Sequence, residues 1–248
     1  MSLSKLSDTP VDVNHYPVRT RAASFGNFNP VPPAVADAQR VFTPPTSLSK
    51  PTDLFAVQMN NCTIRGYRFI RTTNPRQMLM FVDGSSLGNG TPTARAGYGV
   101  VFAPVQWFHP ISNSLEQDSN PQTSNRAELR AVLAALGLRF WVGEGFTKIV
   151  IACDSSYVVS GISAWILKWR KNGWKTNTGA AVANQDLWKK LEAKLREMEE
   201  RGMLVQFWLI PREWNEADAY AKAGADKDAV IGEVEDVVIM ERMPPQDA

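Results

Sequence analysis

The run Met78-Leu79-Met80-Phe81-Val82-Asp83-Gly84-Ser85 constrains this chain more than any other stretch. Five consecutive apolar residues bounded by Gly-Ser read as a short strand buried on both faces, and such a strand needs packed layers above and below it. The pattern recurs at Lys148-Ile149-Val150-Ile151-Ala152-Cys153-Asp154, again with a carboxylate directly after the apolar run. Asp-Gly is also ordinary turn chemistry, so a single such Asp says little. If the two strands are parallel neighbours, both acids sit at the carboxyl edge of the sheet, where open α/β folds place their ligands. Carboxylates side by side repel unless a cation lies between them. The pair points to a metal site.

The texture of the chain divides it in three. Residues 1–75 hold nine of the sixteen prolines and none of the eight tryptophans, which predicts a mostly extended leader. Near its end, Cys62–Ile70 has β character and is expected to add an edge strand whose Arg and Tyr face solvent or nucleic acid. Residues 76–225 carry the periodic elements, and residues 226–248 form an acidic tail with an apolar segment at Val234–Met240 that has no evident place. Within the central part, Tyr98–Phe102 and a stretch around Gln106–Phe108 suggest an antiparallel meander. An amphipathic helix opens near Ser124 and runs on Leu129, Val132, Leu133, Leu136 and Phe140. The strand to Asp154 leads into a short helix, a long helix spans about Asn184 to Arg201, and Leu204–Ile210 reads as a fifth strand. A last helix follows, capped by Asn215.

Two further acids fall where helices begin against the sheet. Glu128 stands three residues after Asn125, as a capping-box partner would, yet it lies one turn before Val132 and leans toward the apolar face. Asp218 sits in the first turn of the last helix, where the helix dipole favours a carboxylate in any case. Asp83, Glu128, Asp154 and Asp218 together form an oxygen-only donor set, which selects hard cations, Mg2+ or else Mn2+. Zn2+ is disfavoured because His15 and His109 lie outside the set. Two such ions about 4 Å apart suit in-line displacement at a phosphodiester. The segment 165–188 interleaves Trp165, Trp169, Trp174 and Trp188 with Lys168, Arg170, Lys171 and Lys175. Cations there would contact phosphates without reading sequence, with Trp169 and Trp188 mainly packing and Lys171, Trp174 and Lys175 mainly in contact.

Composition narrows the setting. Only Cys62 and Cys153 are present, too few for a disulfide framework, so a reduced intracellular compartment, nuclear or cytoplasmic, is expected. Arg19 and Arg21 would suit a mitochondrial transit segment, against which Asp8 and Asp12 argue. No apolar run has the length of a membrane span, so no membrane partner is expected. A net charge of +2 does not by itself argue for nucleic acid.

The segments Phe81-Val82-Asp83-Gly84-Ser85, Thr123–Leu129, Asp154–Val158 and Trp169-Arg170-Lys171-Asn172-Gly173-Trp174-Lys175-Thr176 resemble type 1 ribonuclease H, in that family's order, from about residue 77 to 225. The resemblance implies an α/β fold with a five-stranded mixed sheet and helices on both sides. It implies cleavage of the RNA strand of RNA–DNA hybrids, leaving a 5′-phosphate and a 3′-hydroxyl, by a monomer. By position, Asp83, Glu128, Asp154 and Asp218 match the metal-binding acids. Asn89 and Asn125, with the adjoining Arg126, match positions near the scissile region, Thr123 a DNA-phosphate pocket, and Trp165–Lys175 a basic protrusion.

Two departures stand out. Bacterial members carry a Gly-His loop before the last acid; here the stretch is Ile210-Pro211-Arg212-Glu213-Trp214-Asn215, in which Arg212 takes the place available to a substrate contact. Asn215-x-x-Asp218 is one residue shorter than the family's usual spacing, a change that turns a helix position by about 100°. The expected activity is a Mg2+-dependent endoribonuclease on hybrids. The alternatives are a catalytically weakened hybrid- or duplex-RNA-binding protein and an integrase-like nuclease on the same fold.

Overall fold

A computed structural model describes residues 29–60, 62 and 65–232. Its centre is strand β3 (Asn74–Leu87), the element predicted to be buried on both faces, and Met78 through Val82 are almost completely enclosed. Alternate residues of β3 serve different cores. Met78, Met80 and Val82 face a large cluster with Leu129, Val132, Leu136 and Trp188, whereas Leu79 and Phe81 face a smaller one with Val150, Ala152 and Trp208.

The neighbours of β3 make the sheet mixed. β4 (Arg95–Val101) runs antiparallel beside Phe81–Leu87 and pairs in turn with β5 (Ile111–Ser114). β6 (Lys148–Cys153) lies parallel on the other side, and β7 (Leu204–Leu209) lies parallel to β6. Two helices, α3 (Ser124–Gly137) and α6 (Gln185–Glu200), cover the large-cluster face. The C-terminal helix α7 (Asp218–Ala225) covers part of the opposite face, and it comes so near β4 that a Cβ on Gly99 would stand 2.7 Å from the Ala217 carbonyl oxygen. Helices therefore lie on both sides, as expected.

The sheet has seven strands rather than five, because the leader is folded from residue 29 onward. It supplies α1 (Pro33–Ala38), α2 (Pro51–Leu54) and the hairpin β1 (Phe55–Met59) and β2 (Tyr67–Arg71). β2 pairs with β3 at Met78 and Leu79, on the side that β4 occupies further along. Two of the prolines that suggested an extended chain, Pro33 and Pro51, begin the helices, where a missing N–H leaves no hydrogen bond unmade. Between the helices, the backbone of Arg40 and Phe42 pairs with Phe207 of β7 at 2.8 Å in both directions. Phe42 and Phe55 then cover the small cluster, with the Phe42 ring tilted against Trp208 at 5.0 Å between centroids.

Three smaller expectations are corrected. No strand forms at Gln106–Phe108, where Trp107 and Phe108 N–H groups both turn back onto the Pro104 carbonyl. α3 ends at Gly137, leaving Phe140 half-exposed beneath the Arg201 guanidinium. α7 begins at Asp218 with Ala217 at its cap position, and Asn215 is free for another task. The start of the acidic tail lies against Gln117, whose N–H donates to Val230, while Val234–Met240 is outside the described residues. Among the described residues no helix is long and apolar enough to cross a membrane.

If the leader is part of the core, Phe42→Ala should destabilise the protein by about 3–5 kcal/mol, as for other buried aromatic truncations. Urea denaturation measures this, and a loss below about 1 kcal/mol would show the leader to be loosely attached.

Candidate active site

The parallel register of β3 and β6 sets Phe81 against Ala152, so Asp83 and Asp154, two residues further on, emerge at the same level of the sheet edge. Glu128 reaches them from α3. Thr123 caps that helix by accepting from the Arg126 N–H at 3.2 Å, which puts Glu128 in the second turn and removes the capping-box role suggested by Asn125. The approach of α3 depends on Gly84: a Cβ there would lie 2.1 Å from the Glu128 nitrogen and 2.4 Å from the Ala127 carbonyl carbon. The residue after the first acid thus decides how near the third can come.

One carboxylate oxygen from each of Asp83, Glu128 and Asp154 lies within 4.8 Å of the others. Asp83 Oδ2 and Glu128 Oε2 are buried and have no hydrogen-bond partner among the described residues. Burial, then the charges of Asp154 and Asp218, pushes the Asp83 carboxyl up to about 7. Burial and the same crowding raise Glu128 well above the usual carboxylate range. Asp154 is held by the side chain of Asn215, which donates to its Oδ1 at 2.8 Å and to the Val82 carbonyl at 3.0 Å. Asn215 was legible only as a helix cap; its role as a clamp between two strand ends needed the sheet. Crowded, under-bonded, oxygen-only donors are the set that a hard divalent cation takes.

Asp218 is not in that group. Although burial opposes it, hydrogen bonds from Lys222 and Arg212, each 2.6 Å long, hold its carboxyl below the usual range. Arg212 also reaches to 4.0 Å from Asp154 Oδ2, so its guanidinium lies between Asp218 and Asp154.

The residues expected at the substrate divide. Asn89 lies in the exposed loop after β3 and accepts from the Ser124 N–H at 3.4 Å, at the start of α3. Asn125 is exposed on the first turn of the same helix, and Thr123 lines an adjoining polar cleft of about 390 Å³ with Thr91, Gln117 and Asn120. Arg126 departs from expectation: it is 1% exposed, and its guanidinium holds Asp118 at 2.8 Å and Asp186 at 2.8 and 3.0 Å. Successive residues of a helix point about 100° apart, so Arg126 can face inward while the adjacent Asn125 stays exposed. Lys171 and Lys175 are exposed, at the far end of the aromatic group Trp165, Trp169, Trp174 and Trp188. Trp174 has a left-handed backbone, φ +62, fixed by bonds to the Trp169 carbonyl and from Val182 and Gln185. Its ring is half-buried, so it packs and remains partly open to a ligand.

Fold and site together define an α/β domain with a divalent-cation donor set at its parallel edge. A family model described as RNase H matches residues 75–225. The chain is 36% identical over 151 residues to a ribonuclease H of Actinobacillus succinogenes, covering 61% of this chain and 91% of that protein. It is 33% identical over 153 residues to ribonuclease H1 of Mus musculus, covering 60% and 50%. Among solved structures it is similar to LC9-RNase H1, a type 1 RNase H, at 27% identity and a TM-score of 0.41 over 60% of this chain and 72% of that one. The chain belongs to the RNase H family, and it is a ribonuclease H with that family's mixed-sheet fold.

Because Asp83 ionises near 7 when folded and near 3.8 when unfolded, the folded metal-free protein holds a proton that the unfolded chain releases. Its stability should fall as pH rises across that window, and added Mg2+ should raise the melting temperature more at pH 8 than at pH 5.5, since a bound cation needs the acids ionised. Asp83→Asn should stabilise the metal-free protein at pH 8 and remove most of the Mg2+ effect. Calorimetry in EDTA and in Mg2+ checks both signs.

Proposed function

We propose that this protein cleaves the RNA strand of RNA–DNA hybrids as a monomeric, Mg2+-dependent endonuclease, with Mn2+ able to substitute, and leaves a 5′-phosphate and a 3′-hydroxyl. The observation that carries the reading is the convergence of Asp83, Glu128 and Asp154 with two buried oxygens that lack partners among the described residues. Asp83, Glu128 and Asp154 would hold the cation, and a bound pair would supply an activated water and neutralise charge at the leaving oxygen. The chain's own part is preorganisation. Gly84 admits Glu128, and Asn215 fixes the Asp154 carboxylate so that one of its oxygens stays turned to the cluster. Arg212 keeps Asp218 beside the cluster and presents a guanidinium, itself exposed, toward the substrate side.

Hybrid recognition is assigned to two surfaces. Asn89, Thr123 and Asn125 gather at the N-terminus of α3, where the positive end of the helix dipole favours phosphate. Lys171, Trp174 and Lys175 form the second, a cationic and aromatic handle suited to a backbone rather than to bases. RNA is told from DNA by its 2′-hydroxyls in a widened minor groove. The tie of Asp218 to Arg212 and Lys222 favours slow turnover as a second feature, since a fourth acid already paired with two cations is less free to serve metal.

Asp83→Asn should lower cleavage of a labelled hybrid by at least about 10³-fold while hybrid binding survives. Retained cutting in that variant would remove the cation-cluster account. A panel of hybrid, duplex RNA and duplex DNA with Mg2+, Mn2+ and EDTA decides the class: hybrid-only, cation-dependent products support it, and cleavage of duplex DNA assigns the site to another nuclease.

A further inference from the structure

The leader touches the substrate handle at one point. Asp37 of α1 sits among three arginines: its carboxylate accepts from Arg170 at 2.7 Å, from Arg196 at 2.7 Å and from Arg40 at 3.5 Å. Arg170 belongs to α5 (Ile166–Lys171), the helix that carries the handle, whereas Arg196 is on α6. Helix α1 is itself firmly seated. Arg40, 2% exposed, donates to Glu199 at 2.5 Å and to the Val205 carbonyl at 3.1 Å, and the Val31 N–H donates to the Glu199 carbonyl at 2.8 Å.

The four cations of the handle differ in what they can do. Arg170 is enclosed between acids, with Asp37 on Nη1 and Glu192 on Nε, and its side chain is 27% exposed. A guanidinium already holding two carboxylates in its fork has little left to offer a phosphate. Lys168, Lys171 and Lys175 are exposed and have no ion pair among the described residues. The lysines are available to phosphate, and the arginine anchors the helix that presents them.

We propose that Asp37 is a positioning residue for hybrid binding: through Arg170 it fixes α5 on the leader and α6, so that Lys168, Lys171 and Lys175 meet the substrate backbone as a fixed array. α5 is the C-terminal end of a continuous helical run from Ser156 to Lys171, the end most prone to fray, and its buried contacts run through Ile166 and the Trp169 face. The Arg170–Asp37 pair ties the remaining face. Both side chains are partly shielded, which screens their attraction less than on an open surface. Asp37 also contributes a second consequence of the folded leader: a segment outside the family-matched residues 75–225 takes part in substrate binding.

This proposal rests on the assignment of the handle to hybrid binding, and the experiment separates the two. Kd and KM for a labelled hybrid are measured with Asp37→Ala, Arg170→Ala, the double variant and Asp37→Glu. Lys171→Ala/Lys175→Ala serves as the handle control, and Asp53→Ala as a leader acid away from it. The expected result is a rise of about 3- to 10-fold in Kd and KM for each single variant with kcat unchanged, no further rise in the double variant, and substantial rescue by Asp37→Glu. Asp53→Ala should bind as the parent does. A merely structural role for Asp37 would lower the active fraction and leave Kd of the folded molecules unchanged, which active-site titration alongside Kd reveals, and that outcome overturns the proposal. Tighter binding by Asp37→Ala also overturns it, since the acid would then be masking Arg170. Effects of Asp37→Ala and Arg170→Ala that simply add exclude the tie. If the lysine control binds normally, the handle assignment fails and the proposal with it; if the control weakens binding and Asp37→Ala does not, the proposal alone fails.

Discussion

Three carboxylates held within 4.8 Å of one another, two of them mostly out of water, are the constraint around which this molecule is arranged. Left alone, such charges would separate or take up protons, and the upward displacement of Asp83 and Glu128 measures that tendency. They stay together because each is fixed by something stiffer than a side chain. Asp83 ends a strand enclosed on both faces, Asp154 follows its parallel neighbour, and Glu128 projects from a helix that meets the sheet at glycine contact distance. The fold is the device that keeps unfavourable neighbours adjacent until a cation makes them favourable.

The same rigidity is built outward from that edge. Buried ion pairs join Arg130 to Glu116, Arg68 to Glu144 and Arg40 to Glu199, and the buried guanidinium of Arg126 holds the partly exposed Asp118 and Asp186. Pairs so enclosed add little net stability over apolar packing, because both charges lose their water. They do fix which helix faces which strand, and Arg126 shows the effect most directly. It roots the start of α6, just after the handle, to the start of α3, beside the acids.

Part of this was readable along the chain. Apolar runs ending in Asp marked both central strands, helical spacing marked α3 and α6, and ordered motifs carried the family resemblance, since these signals are local and repeat with a fixed period. The leader was misread because proline has two meanings: it forbids the interior of a helix and favours its first turn, and nothing local to Pro33 or Pro51 distinguishes them. What turned the segment into structure was burial of Phe42 and Phe55 on sheet residues more than twenty positions away, from Leu79 onward. Arg126 was misread for a related reason. A motif identifies which residues adjoin a site, and only the helix's rotation about its axis decides which of them look toward it.

By itself the sequence determined the chemistry on offer, namely hard oxygen donors, a basic aromatic handle and the strands and helices that bear them, because residue type and periodicity are properties of short stretches. Tertiary structure alone decided the groupings: three acids in one cluster with Asp218 beside it paired to Arg212 and Lys222, Asn215 as a clamp, and Asp37 beside Arg170 across 133 positions. Those are distances of a few ångströms between atoms far apart in the chain. They are set by register, close approach and packing, quantities that no local pattern encodes.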